Sequence, residues 1–422
     1  MFKLTGLSAT GYRSFAEPLK LELKPLTLLY GRNNAGKSAV LRLLPILADS
    51  VADDAASPFE IARVAGPGAS FLDVVNRGSG LKRLSLTLHW SDPAGHHYRD
   101  VFHLRYIDEA DAVAISAFEL IGPDDQTQLR AEAEPYPDQG RYTVTRPADD
   151  AVSIVPGFVG LVPAANCEVL VLRGLRERLL GLRRNIQWLQ SVRTRWGRLV
   201  TKTGSRHRML GPDGAQAAEI LLTDERVFEE VARWYAGHDI GRRLDQAAAA
   251  VGQPIHRLLL NPQAGPIRDI DLLDTGEGMI QVLPVLVACA LARERGDGAI
   301  LAIEEPESHL HGNAQQALAN HLCEIAAGNK PPTIVVETHS RILLLAIQLA
   351  IAEDRLPPEC CRAYWIDQEA SGESIATKVD FDSHGSPKGG WPPAAFVEDQ
   401  ALARRLLDQQ LQGGAFNSPC GY

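Results

Sequence analysis

Lys37, Ser38, Glu304, Glu305 and His339 are the residues of this chain best suited to chemistry, and they stand on three segments far apart in sequence. Lys37 and Ser38 close the octapeptide Gly31-Arg-Asn-Asn-Ala-Gly-Lys37-Ser38, which fits G-x-x-x-x-G-K-S. Gly31 and Gly36 allow the backbone to turn so that N–H groups converge on phosphate oxygens, and Asn33, Asn34, Ala35 and Ala39 complete the cradle. Lys37 places a point charge on the β- and γ-phosphates, while the Ser38 hydroxyl is a magnesium ligand. Such a cradle needs a metal and an activated water to act on what it holds. Ala299-Ile-Leu-Ala-Ile303-Glu304-Glu305-Pro306 supplies both kinds of group: Glu304 holds magnesium, directly or through water, and Glu305 polarises the attacking water. The third segment, Thr333-Ile-Val-Val-Glu-Thr-His339-Ser340, brings His339 beside the γ-phosphate, where an imidazole can orient water or sense the phosphate's loss.

These residues need strands to carry them and helices to follow. The apolar run Leu26–Tyr30 leads into the glycine loop, and the stretch from Ala39 reads as a helix. Strands are expected at 299–303 and 333–337, with helices at 279–294, 312–327 and 340–352 and a last strand region near 363–380. A strand that ends in Glu304 puts its carboxylate at the edge where open α/β sheets bind ligands. Period-two alternation in Leu84–Trp90, His97–Tyr106 and Tyr142–Thr145 predicts an antiparallel sheet joined to the parallel one. Residues 168–200 and 215–250 read as helical, separated by the turn Gly211-Pro-Asp-Gly214. The resulting division is 1–165 for the first half of the nucleotide-binding unit with its β part, 166–262 for a helical insertion, 263–355 for the second half, and 356–422 for a small C-terminal subdomain.

With 422 residues and 45% apolar content, the chain can bury a large core. A net charge of −9 excludes a polycation that coats nucleic acid. The six cysteines form no C-x-x-C pair, as expected of reduced thiols in a cytoplasmic protein. No signal-peptide profile opens the chain, and Val282–Ala292 is too short to span a bilayer, so no membrane partner is expected.

The three elements, in this order and with a long insertion between the first and second, resemble the ABC-type heads of SMC, RecF-like and OLD-family ATPases. Thr10-Gly-Tyr-Arg-Ser-Phe15 resembles the N-terminal segment of that group whose arginine approaches the phosphates, here Arg13. Ile303-Glu-Glu-Pro-Glu-Ser-His-Leu-His311 is similar to the OLD-like form of the acidic motif. Asp274-Thr-Gly276-Glu277-Gly278-Met-Ile-Gln281 resembles the ABC signature, and Gly390–Phe396 resembles part of a prokaryotic subgroup with a short C-terminal domain of unknown function. The resemblance implies an α/β fold of the P-loop NTPase type, an ABC head with a mixed sheet, an antiparallel β part and a helical insertion. It also implies ATP and Mg2+ as cofactors and a homodimer in which Gly276, Glu277 and Gly278 of one subunit face the γ-phosphate held by the other. Gly276 stands where many signatures have serine; Glu304 and His311 stand where most ABC proteins have aspartate, as in the OLD-like branch. No glutamine lies between Ser38 and Gln126, so no glutamine loop is identified. About eighty residues follow His339 without a D-x-D cluster, so no nuclease is expected in cis. The resemblance points to anti-phage defence with a separate effector protein. A weakly hydrolysing ATP-bound scaffold and a RecF-like DNA-repair ATPase are the rival readings.

Between Arg173 and Arg208 there are eleven Lys or Arg residues and one acid, with Trp188 and Trp196 among them. Cations interleaved with aromatics suit nucleic-acid contact; the alternative is that the arginines pair with acids elsewhere on this acidic protein. His309 and His311 are expected to serve packing and inter-subunit hydrogen bonds rather than a metal.

Overall fold

The computed structural model describes residues 2–409 except 16, 79, 137–139, 147–148, 168, 204–206, 251, 394 and 397–403. Strands β1 (Lys3–Thr10), β2 (Leu19–Glu22) and β3 (Leu26–Gly31) lead to helix α1 (Lys37–Ser50) and the short α2 (Ala62–Ala65). Six strands follow: β4 (Arg83–Ser91), β5 (His97–Ile107), β6 (Ala112–Ile121), β7 (Thr127–Ala133), β8 (Tyr142–Arg146) and β9 (Asp149–Ile154). The middle of the chain holds α3 (Leu170–Asn185), β10 (Ile186–Leu189), β11 (Val200–Thr201), α4 (Ala217–Thr223), α5 (Glu225–Ala236), β12 (Arg242–Ala248) and β13 (Ile255–Pro262). The last part alternates: α6 (Glu277–Arg295), β14 (Ile300–Glu304), α7 (Gly312–Ala326), β15 (Thr333–Thr338), α8 (Arg341–Ala352), β16 (Cys361–Gln368) and β17 (Ser374–Val379).

A six-stranded sheet in the order β10-β14-β15-β3-β16-β17 forms the centre, parallel throughout except for β17. Its inner strands are buried on both faces, which is why they read as unbroken apolar runs. Alternate residues nonetheless separate cleanly. Leu26, Leu28, Leu301, Ile303, Ile334 and Val336 pack against α6, α7 and α8, whereas Leu29, Ile300, Ala302 and Val335 pack towards α1 and α3. The second face is completed by an antiparallel sheet of eight strands, β2-β1-β4-β5-β6-β7-β8-β9. The period-two pattern of β4 buries Leu84, Leu86, Leu88 and Trp90. Amphipathic α3 joins the two sheets through Leu172, Leu175, Leu179 and Leu182. Arg178, buried in the same helix, forms two hydrogen bonds with the fully buried Asp100 of β5 at 3.0 and 2.6 Å.

The middle of the chain departs from the helical insertion expected at 166–262. Helix α3 stops at Asn185, and Ile186-Gln-Trp-Leu189 becomes an edge strand of the central sheet, parallel to β14. Helices α4 and α5 end at Ala236, after which β13 pairs with β12 on one side and β11 on the other in a third, small sheet. Tertiary pairing decided these segments. Four β-branched or large side chains next to an open parallel edge gain more from the ladder than from one further helical turn.

Candidate nucleotide site

Three parallel strands end side by side, and their C-terminal ends carry the groups expected to act together. Strand β3 runs into the glycine loop, β14 ends at Glu304, and β15, which lies between them, ends at Thr338. A cavity of about 1100 Å3 opens there, lined by Arg13, Asn33, Asn34, Gly36, Lys37, Ser38 and Ala39, and on the far side by Glu305, Glu337 and His339. The loop is built as its glycines predict. A Cβ on Gly31 would lie 1.9 Å from the Ile366 carbonyl of neighbouring β16, and Gly36, at φ 105°, caps α1 in a left-handed conformation. Asn33 and Asn34 are exposed on the loop and Ala35 is buried beneath it.

Lys37 is buried, and its ammonium donates to the carbonyls of Gly31 at 3.1 Å and Arg32 at 2.5 Å. Burial lowers its pKa to about 8, a shift partly opposed by Glu337, Glu305 and Glu307. Arg13, at φ 52°, donates to the Asp73 carbonyl at 3.3 Å and keeps its buried Nε without a hydrogen-bond partner. His339 Nε2 lies 3.8 Å from Glu305 Oε1, and Ser308 donates to the other Glu305 oxygen at 3.1 Å. Burial and then Lys37 hold the His339 pKa below its ordinary value, which favours neutral imidazole.

The acids sit differently from the sequence reading. Glu304 was expected beside the metal, yet both its oxygens are engaged: Arg42 donates to them at 2.6 and 2.8 Å, and Trp188 Nε1 donates at 3.2 Å. It is 2% exposed and lies outside the cavity lining. The acid that meets Ser38 is Glu337, which accepts from the hydroxyl at 2.6 Å. Glu304 and Glu337 pair in register on adjacent strands, so both point at α1, but β15 lies one strand closer to the glycine loop. Burial pushes the Glu337 carboxyl up to about 7, opposed by the Ser38 hydrogen bond and reinforced by Glu304. Glu337 escaped the sequence reading; its one signal is a carboxylate breaking an all-apolar strand next to Thr338-His339. Glu307 was also missed. It accepts from Thr338 Oγ1 at 2.6 Å and from the His339 amide at 3.0 Å, tying the acidic loop to the histidine loop.

Gly276, Glu277 and Gly278 do not line this cavity. Gly276 caps α6 with open space around it, and a Cβ on Gly278 would come within 2.4 Å of the His309 carbonyl. Gly278 is therefore required by helix packing. His309 and His311 are exposed, and the His309 carbonyl is the group against which Gly278 packs.

Within the basic segment Arg178 and Arg193 are buried, whereas Arg173, Arg183, Arg184, Arg195, Arg198, Lys202 and Arg208 are exposed. Arg193, 4% exposed, donates to the carbonyls of Glu304 at 2.6 Å, Glu305 at 3.3 Å and Gln281 at 3.4 Å. Arg195 pairs with Glu277, and Arg198 with Asp274 and Asp271. Trp188 is buried in the central sheet and Trp196 packs at its margin. Arg195 and Arg198 thus pair with acids of the same chain, the alternative to nucleic-acid contact, while Arg193 is held by backbone carbonyls.

Among the described residues, no helix is long and apolar enough to cross a membrane, and the five described cysteines are free thiols; Cys420 lies outside them. The chain is similar in fold to the SMC head domain from Thermotoga maritima (14% identity, TM-score 0.43, covering 90% of this chain and 99% of that one). An SMC head bound to the C-terminal winged-helix domain of ScpA gives 12% identity and a TM-score of 0.45, covering 90% and 98%. The Pyrococcus furiosus SMC head with an extended coiled coil, bound to the C-terminal domain of ScpA, gives 10% and 0.44, covering 90% and 97%. No curated protein matches the chain. The sheet order and the strand–loop–helix cradle give the α/β, P-loop architecture of an ABC-type head without appeal to these likenesses. A family model spans residues 26–346, from the strand before the cradle to the helix after His339, and the chain therefore belongs to the ATPase family described as "AAA domain, putative AbiEii toxin, Type IV TA system".

Proposed function

We propose that the protein is a cation-dependent ATP hydrolase that works as a switch, closing into a homodimer around two ATP molecules and opening after hydrolysis. The observation that carries this reading is the single cavity shared by Lys37, Ser38, Glu305, Glu337 and His339. Loop amides, Lys37 and Arg13 bind the triphosphate, for which Lys37 must leave the Gly31 and Arg32 carbonyls. Ser38 and the acids facing it suit a divalent cation, magnesium in the simplest case. When bound, such an ion would neutralise charge on the phosphates. Glu305, half-exposed at the cavity wall, polarises the attacking water, and neutral His339 orients it or registers the phosphate's departure. The open space around Gly276 at the start of α6 suits the turn of Gly276, Glu277 and Gly278 to a phosphate held by a second copy. A cytoplasmic setting, a role in defence and a separately encoded effector rest on the family likeness alone.

Steady-state phosphate release tests the reading. Wild type should turn over and Glu305→Gln should be slower by at least a hundredfold, while ATP should convert Glu305→Gln from monomer to dimer in sedimentation. A second reading, an ATP-bound scaffold with negligible turnover, is favoured by the tying of Glu304 to Arg42. Equal near-zero rates in wild type and Glu305→Gln would decide for it.

A further inference from the structure

We propose that Glu337, Glu305 and His339 form a divalent-cation site of mixed oxygen and nitrogen donors, and that Glu304 is a structural acid rather than a metal ligand. The inference rests on reading the cavity as the nucleotide site and concerns its nucleotide-free state, before ATP brings the water on which Glu305 and His339 act. One ligand atom from each of the three residues lies within 4.8 Å of the others, and this is the one such group among the described residues. Donors held about 2.1 Å from a six-coordinate ion stand about 3 Å apart in cis and about 4.2 Å apart in trans. Small side-chain rotations therefore bring all three onto one ion.

A second observation points to a cation independently. Glu337 is 3% exposed, and its Oε2 is buried without any hydrogen-bond partner, whereas Oε1 accepts from Ser38. Buried carboxylate oxygens in folded proteins are normally satisfied, and this one borders the cavity. Lys37, whose ammonium donates to two loop carbonyls, makes no hydrogen bond to it. Glu304 shows the opposite condition. Its oxygens are occupied by Arg42 and Trp188, and drawing it to a metal would strand a half-buried guanidinium.

The donor set also selects the ion. An imidazole beside two carboxylates suits a borderline first-row cation better than Mg2+, which favours oxygen and gives up its waters reluctantly. The site should thus bind Mn2+ without nucleotide and more tightly than Mg2+.

Mn2+ titration of the full-length, nucleotide-free protein, followed by the electron paramagnetic resonance of free Mn2+, tests this directly. Glu337→Gln should weaken Mn2+ binding at least tenfold, and Glu304→Gln should change it less than threefold. Pulsed measurements on the wild type should show nitrogen coupling to bound Mn2+ that disappears in His339→Gln, a result that does not depend on Glu304→Gln folding. Absence of nitrogen coupling, or unchanged Mn2+ affinity in Glu337→Gln, overturns the proposal. Binding of a fluorescent ATP analogue, measured in parallel, separates the two readings: its absence in wild type defeats the nucleotide site, whereas its presence with oxygen-only Mn2+ defeats only this assignment.

Discussion

The tips of β14 and β15 carry the same side chain at paired positions, facing the same helix, and the two acids have opposite fates. Glu304 meets Arg42 and is satisfied; Glu337 meets Ser38, one helical turn earlier on α1, and keeps a free buried oxygen. The difference arises on the helix, because positions 38 and 42 present a hydroxyl and a guanidinium along one face. A strand-end carboxylate is thus assigned its task by what lies across from it.

The contrast can be broken by mutation, beginning with the largest effect. Arg42→Ala leaves Glu304 buried without its cation and should cost about 3–5 kcal/mol in urea unfolding. An unaltered midpoint would mean that the ion pair is not formed in solution. Glu304→Gln keeps the shape but removes the charge, with an expected loss of about 2–3 kcal/mol. His321 provides a control away from the cavity, since its buried Nε2 also lacks a hydrogen-bond partner. Burial lowers its pKa from 6.5 to about 4, so the folded state favours the neutral ring. Its contribution is complete above pH 6.5 and is lost as pH falls towards 4, by up to about 3 kcal/mol. Unfolding curves at pH 7 and 4.5 should show this loss, and His321→Gln should reduce it. The smallest change belongs to Glu337→Gln, which removes an unsatisfied charge and should leave stability within about 1 kcal/mol or raise it. A loss as large as that of Glu304→Gln would erase the distinction between the two acids.

The parts legible in the sequence are those whose information is local. The G-x-x-x-x-G-K-S loop, the apolar runs of β14 and β15 and the helices after them each declare themselves within about fifteen residues, and the structure has them there. The alternation of β4 and β5 predicted the antiparallel sheet for the same reason. Features set by sheet order were not legible. Glu304 and Glu337 are both acids at strand ends, and only the insertion of β15 between β14 and β3 brings the second one to Ser38. The partners within the arginine-rich segment were hidden for a related reason: Arg178 finds Asp100 from 78 positions away, and Arg193 finds a carbonyl from 111. Four-residue β10 was concealed by the helical pattern running into it.

Arg193 has a mechanical consequence. A single buried guanidinium grips the carbonyls of Glu304 and Glu305 and the one at Gln281, in the second turn of α6. Strand tip and helix start therefore share a rivet, with no hinge between them. Displacing either one strains the hydrogen bonds that this side chain makes to the other.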